Sequence, residues 1–145
     1  MTLRRGPLAV VGLAVCATAL AVAARGAALP SFAGCTASQP VVRPSSIVVA
    51  CGDGNFFLSD ITWSRWTSTS AAGRGTGHQN DCKPYCAAGH FHTYAVSIRL
   101  SRPETCRHGR REFTRFTYRF VSRKPAGVPR GETMHSPFYR GSGCP

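Results

Sequence analysis

Acidic residues are scarce in this sequence. Three Asp and three Glu stand against 18 Lys and Arg in 145 residues, a formal net charge of +12. Sites built from several carboxylates have little to draw on. Asp53 and Asn55, in Gly52–Asn55, resemble part of a calcium loop, but the further acids such a loop needs are missing, and the stretch reads as a turn. Lysine is scarce as well, since sixteen of the 18 cations are Arg. No segment carries the 3.6-residue apolar period of an amphipathic helix, which argues against a helical fold. Gly73, Gly75 and Gly77 spell G-x-G-x-G, but no helix pattern follows, so this is no phosphate-binding loop. There is no internal repeat and one long apolar run only.

That run, Leu8 to Ala24, follows the basic stretch MTLRRGP and ends in small residues. Basic, apolar and small segments in this order predict a signal peptide over residues 1–25, with small residues at the −3 and −1 positions of a cleavage site near Ala21–Ala24. The expected location is therefore outside the cell, with no transmembrane segment after cleavage. The alternative is membrane anchoring, through an uncleaved signal or a lipid on Cys35. Cys16 would leave with the signal. Cys35, Cys51, Cys82, Cys86, Cys106 and Cys144 remain, an even set that reads as a disulfide framework in an exported domain.

Residues 26–46 carry Pro30, Pro40 and Pro44 and form an irregular lead-in. A β domain is expected over 47–123. It opens with Ile47–Cys51, a β-branched run, then Asp53-Gly54 and a second apolar run, the pattern of a hairpin. Residues 67–81 are small and polar and suggest an irregular edge strand, with close backbone approach, or a loop. Tyr94, Val96, Ile98 and Leu100 alternate with Ala95, Ser97 and Arg99, the period of a half-buried strand. Arg111–Arg123 alternates too: Phe116, Tyr118 and Phe120 on one face, Phe113, Thr117, Val121 and four arginines on the other. Residues 124–145, rich in Pro and Gly, make an irregular tail. Short strands with turn signals between them predict an all-β fold, a small disulfide-stapled antiparallel sandwich or barrel.

The stretches Ala50-Cys51-Gly52-Asp53-Gly54-Asn55, Trp63-Ser64-Arg65-Trp66, Asn80-Asp81-Cys82-Lys83-Pro84-Tyr85-Cys86-Ala87-Ala88-Gly89 and Phe113-Thr114-Arg115 resemble a family of small exported proteins of high-GC Gram-positive bacteria. The resemblance covers roughly residues 45–121. It implies export and an all-β domain, and assigns no catalytic, cofactor or binding residue.

Asp81–Tyr94 places Cys82 and Cys86 before His90 and His92. Zinc would accept two thiolates and two imidazoles, but export favours the disulfide, which removes the thiolates. Thiol redox chemistry prefers C-x-x-C at a helix start. A Cys82–Cys86 disulfide is the favoured reading, with Cys35–Cys51 and Cys106–Cys144 pinning the lead-in and the tail. No metal or cofactor is expected. Trp63 and Trp66 would face opposite sides of a regular strand, one in the core and one exposed to pack or to stack on a sugar.

The main functional reading is a secreted basic β domain that binds without catalysing. Arg99, Arg111, Arg115, Arg119 and Arg123 would share one strand face and grip anions bidentately. The partners expected are polyanions or the cell-envelope surface, with no specific nucleic-acid recognition. The bland alternative is a solvated face. The alternative function is a small ribonuclease-like hydrolase, with His90 or His92, Glu112 and Arg115 as acid, base and cation.

Overall fold

The computed structural model describes residues 28–35, 40–106 and 109–136. The expected signal peptide and Cys144 lie outside the described residues. Six antiparallel strands, β1 (Ile47–Val48), β2 (Phe56–Trp66), β3 (Ser70–Asn80), β4 (Phe91–Thr105), β5 (Arg111–Phe120) and β6 (Gly131–His135), pair in chain order. The all-β expectation holds: one meandering sheet curls into half a barrel. The expected hairpin is present, with Ile47 opposite Leu58, and β4 and β5 form another, with Arg99 opposite Thr117. Among the described residues no helix is long and apolar enough to cross a membrane.

The concave face is the core. Leu58, Val96, Ile98, Leu100, Phe116, Tyr118 and Phe120 are buried on it, at the alternating positions that period two requires. β3 contributes almost no side chain. Its residues on that face are Ala71, Gly73, Gly75 and Gly77. A Cβ on Gly73 would lie 2.8 Å from the Thr62 carbonyl oxygen and 2.9 Å from the Trp63 ring. One on Gly75 would lie 2.7 Å from the Ser59 carbonyl oxygen. The glycines let β2 come close, and β2 uses that room for two bulges, between Ser59 and Thr62 and between Trp63 and Arg65. Residues 70–80 are therefore a central strand, not an edge or a loop. Close backbone approach is what the glycines supply.

The second bulge changes the tryptophans. Trp66 is buried and Trp63 packs against the same core, their rings in edge contact at 4.7 Å. An extra residue between them cancels the alternation that would have put them on opposite faces. Their indole N–H groups donate to the lead-in, Trp63 to the Pro44 carbonyl at 2.9 Å and Trp66 to the Pro30 carbonyl at 2.8 Å.

The segments expected to be irregular also join the sheet. Phe32 is buried in the core, and Ser31 bonds the β5 backbone through Arg111 and Phe113. β6, within the expected tail, pairs with β5. Where Ser31 takes over from β6, Phe113 N–H donates to Ser31 and the Thr114 carbonyl accepts from Ser136, so neighbouring residues both bond away from β4. The alternation slips there. Glu112, Phe113 and Thr114 are consecutively buried, and Phe113 sits under Trp66 instead of among the arginines.

Disulfides join Cys35 to Cys51 and Cys82 to Cys86. The first closes a separation of 16 residues, worth about 3 kcal/mol on a chain-entropy account. Cys106 is disulfide-bonded as well. Gly75→Ala should destabilise the fold by about 1–3 kcal/mol, because the new methyl meets backbone that cannot step aside. Urea unfolding of the two proteins checks this, and an unchanged midpoint would contradict the tight β2–β3 approach.

Candidate anion-binding face

The register assigns the convex face residue by residue. In one cross-strand row Arg65 lies opposite Ala72, Ala72 opposite Arg99, Arg99 opposite Thr117, and Thr117 opposite Thr133. The next row runs Thr62, Arg74, Ser97, Arg119, Gly131. On the other side Ser70, Ser101, Arg115 and His135 align. Five arginines from four strands thus occupy three consecutive rows, with small residues between them. Strands are about 4.8 Å apart and alternate residues about 7 Å apart. Arg65 and Arg99, like Arg74 and Arg119, are two strands apart, so their Cα atoms are separated by about 10 Å.

Among the described residues these guanidinium groups have no acidic partner. The ion pairs among the described residues are His92–Asp81 and Arg110–Glu112, and none of the five arginines takes part. The Ser and Thr hydroxyls beside them add donors without bulk. Such a face is concentrated positive charge on a surface that can bond oxyanions from many directions.

Of the five arginines expected from sequence, Arg99, Arg115 and Arg119 come together here. Arg111 stands beyond the slip in β5, opposite Thr105. Arg123 lies past the strand end, beside His92, Tyr94 and Lys124. Arg65 and Arg74 were not legible as members. Arg65 needs the bulge to be placed, and Arg74 sits in the glycine-rich stretch that did not read as a central strand.

The acid/base set does not assemble. Glu112 lies opposite Glu104, and Glu104 is twelve positions along β4 from His92, on the order of 40 Å of extended chain. His92 is instead paired with Asp81, Nε2 to Oδ2 at 3.0 Å. The His90 backbone N–H, the His92 side chain and the Lys83 backbone N–H, in that order, hold the Asp81 carboxyl well below the usual carboxylate range. A Ser–His–Asp grouping on the convex side has the wrong proton arrangement for a nucleophile. Ser59 Oγ donates to Asp60 at 2.7 Å and also contacts His78 Nε2 at 2.8 Å. The hydroxyl has one proton, so with Asp60 accepting it His78 must be the donor and cannot draw a proton from Ser59.

The first turn and the Cys82–Cys86 loop are bound to each other. Asp53 accepts from the Asn55 backbone and side chain, which lowers its pKa. Asn80, buried, donates to Asn55 Oδ1 at 2.9 Å and to the Cys86 carbonyl at 2.8 Å, and accepts from Cys82 N–H. Among the described residues no three His, Cys, Asp or Glu side chains gather to hold a metal. No protein-family model, curated protein or solved structure matches the chain.

Glu112 gives a pH prediction. Burial raises its pKa from an ordinary 4.5, and the Arg110 charge at 3.7 Å only partly opposes that. A carboxyl raised in the fold favours folding below its unfolded pKa, and that contribution is lost as pH rises through the folded value. Glu112→Gln should therefore raise the melting temperature at pH 7 and leave it unchanged below about pH 4. Thermal scans at the two pH values check this, and a loss of stability at pH 7 would show that the Arg110 pair outweighs burial.

Proposed function

We propose that this protein is an exported, non-catalytic binding domain that holds a polyanion on the convex face of its sheet. One observation carries the reading: five arginines from β2, β3, β4 and β5 share that face, and none is in an ion pair among the described residues. Clustering cations without acids costs stability through mutual repulsion, and a bound polyanion relieves it. Disulfides at Cys35–Cys51 and Cys82–Cys86 suit an oxidising compartment, which supports export. Polymers of the cell envelope or extracellular surroundings are the partners such a face would meet. Backbone phosphates, sulfates or carboxylates satisfy it without any reading of sequence, because guanidinium groups among Ser and Thr recognise charge and spacing.

Retention on an immobilised polyanion should weaken steeply with salt as counterions compete. Replacing Arg99 and Arg119 by Ser should flatten the slope of log affinity against log salt by about 2, roughly one ion per lost contact. Replacing Arg43 and Arg111 by Ser removes the same charge from elsewhere and should leave that slope nearly unchanged. Equal loss from both pairs would reduce the face to net charge alone.

A further inference from the structure

The start of β4 carries a second group of charged side chains, on the other side of the sheet from the five arginines. His92 and Tyr94 alternate with Phe91, Thr93 and Ala95, and Ala95 belongs to the convex rows through Thr76. His92 and Tyr94 therefore face the concave side. Two adjoining depressions meet at these two residues. One is bordered by Arg123 and Lys124, the other by Asp81 and Lys83, with Pro125 and Val128 as an apolar wall.

We propose that this cleft binds a phosphate monoester or inorganic phosphate, as a dianion. Three cations, Lys83, Arg123 and Lys124, face one carboxylate, Asp81, which leaves a local charge of 3 − 1 = +2 with His92 neutral. A phosphomonoester carries nearly two negative charges at neutral pH and matches that figure, whereas a diester carries one. The polar groups are also arranged to converge. His92, neutral, donates Nε2–H to Asp81, so its Nδ1 carries no proton and in its one fixed orientation serves a ligand only as an acceptor, for the hydroxyl of hydrogen phosphate. Nδ1 has no hydrogen-bond partner among the described residues, and neither has the Tyr94 hydroxyl. Lys124 donates to the Val128 carbonyl at 2.8 Å and the Pro125 carbonyl at 3.4 Å, which uses two of its three protons and ties the turn that forms the wall. The third proton remains for a ligand. Asp81 is tied by the His90 and Lys83 backbone N–H groups, so its charge serves His92 and does not move to meet the cations.

This assignment does not rest on the convex face, and its test separates the two. Inorganic phosphate and phenyl phosphate are titrated into the disulfide-intact full chain while the His92 and Tyr94 ring resonances are followed by NMR. Both should give saturable shifts, with dimethyl phosphate, a monoanionic diester, binding about tenfold more weakly. Arg123→Ser should weaken phosphate binding by about three- to tenfold, the size expected for one exposed charge-assisted contact. Lys83→Ser, in a different segment, should do the same and serves should Arg123→Ser fail to fold. Arg99→Ser with Arg119→Ser should leave the dissociation constant within about twofold, since no contact in the cleft is lost. Absence of saturable shifts, equal binding of dimethyl phosphate, or equal weakening by the convex-face pair would overturn the assignment.

Discussion

The centre of the sheet has almost no side chains on its concave side, and the rest of the structure follows from that. Ala71, Gly73, Gly75 and Gly77 leave a channel along β3. Trp63 fills it over Gly73, Ile61 over Gly75, and Val96, Phe56 and Leu58 over Gly77. Larger residues there would hold β2 away and prevent both bulges. With them absent the sheet can curl, and a single layer can enclose its own aromatic core. The lead-in closes the open side through Phe32 and through the Trp63 and Trp66 bonds to Pro44 and Pro30. A small domain with one sheet gains from such straps, and the Cys35–Cys51 disulfide fixes the strap in place.

The same curl separates apolar from charged residues. Along the middle of β2 to β5 the positions that alternate with the concave core face outward on the convex side, and there Arg alternates with Ser, Thr and Ala. Glu112 and Tyr118 show the opposite environment. Burial raises both, and the Tyr118 phenol, beside the Glu132 carboxylate as well, is pushed up to about 12. Charge that is costly inside is plentiful outside. Having few carboxylates to neutralise it, the convex face stays electropositive and open to an external partner.

Much of the scaffold was legible in the sequence because its signals are local. Asp53-Gly54 marked a hairpin, and strict alternation marked β4 and β5. The stretches that carry the family resemblance turn out to be structural: Cys51 bonds Cys35, Asn55 meets Asn80, and Trp63 meets Trp66. What stayed hidden depends on contacts between distant segments. Nothing near residue 64 announces the bulge that turns both tryptophans toward the core. The slip at Phe113 depends on Ser31, far away in the chain. β6 follows a Pro- and Gly-rich stretch and becomes a strand only because β5 offers it an edge. The arginine face was half legible for the same reason. Arg99, Arg115 and Arg119 follow from alternation within one hairpin, whereas Arg65 and Arg74 require the register of β2 on β3. Asp81 and His92 are diagonal neighbours across the β3–β4 pair, a relation that spacing in the chain does not signal.

The division between a closed concave core and an electropositive convex face can be tested by mapping. Backbone amide shifts are followed while a short, soluble polyanion is added to the intact protein. The account predicts that the largest saturable changes fall on the outward residues of β2 to β5, at Arg65, Arg74, Ser97, Arg99, Arg115 and Arg119, with the basic residues of the loops changing little. Shifts spread evenly over all basic residues, or centred on the loops instead of the strands, would contradict it.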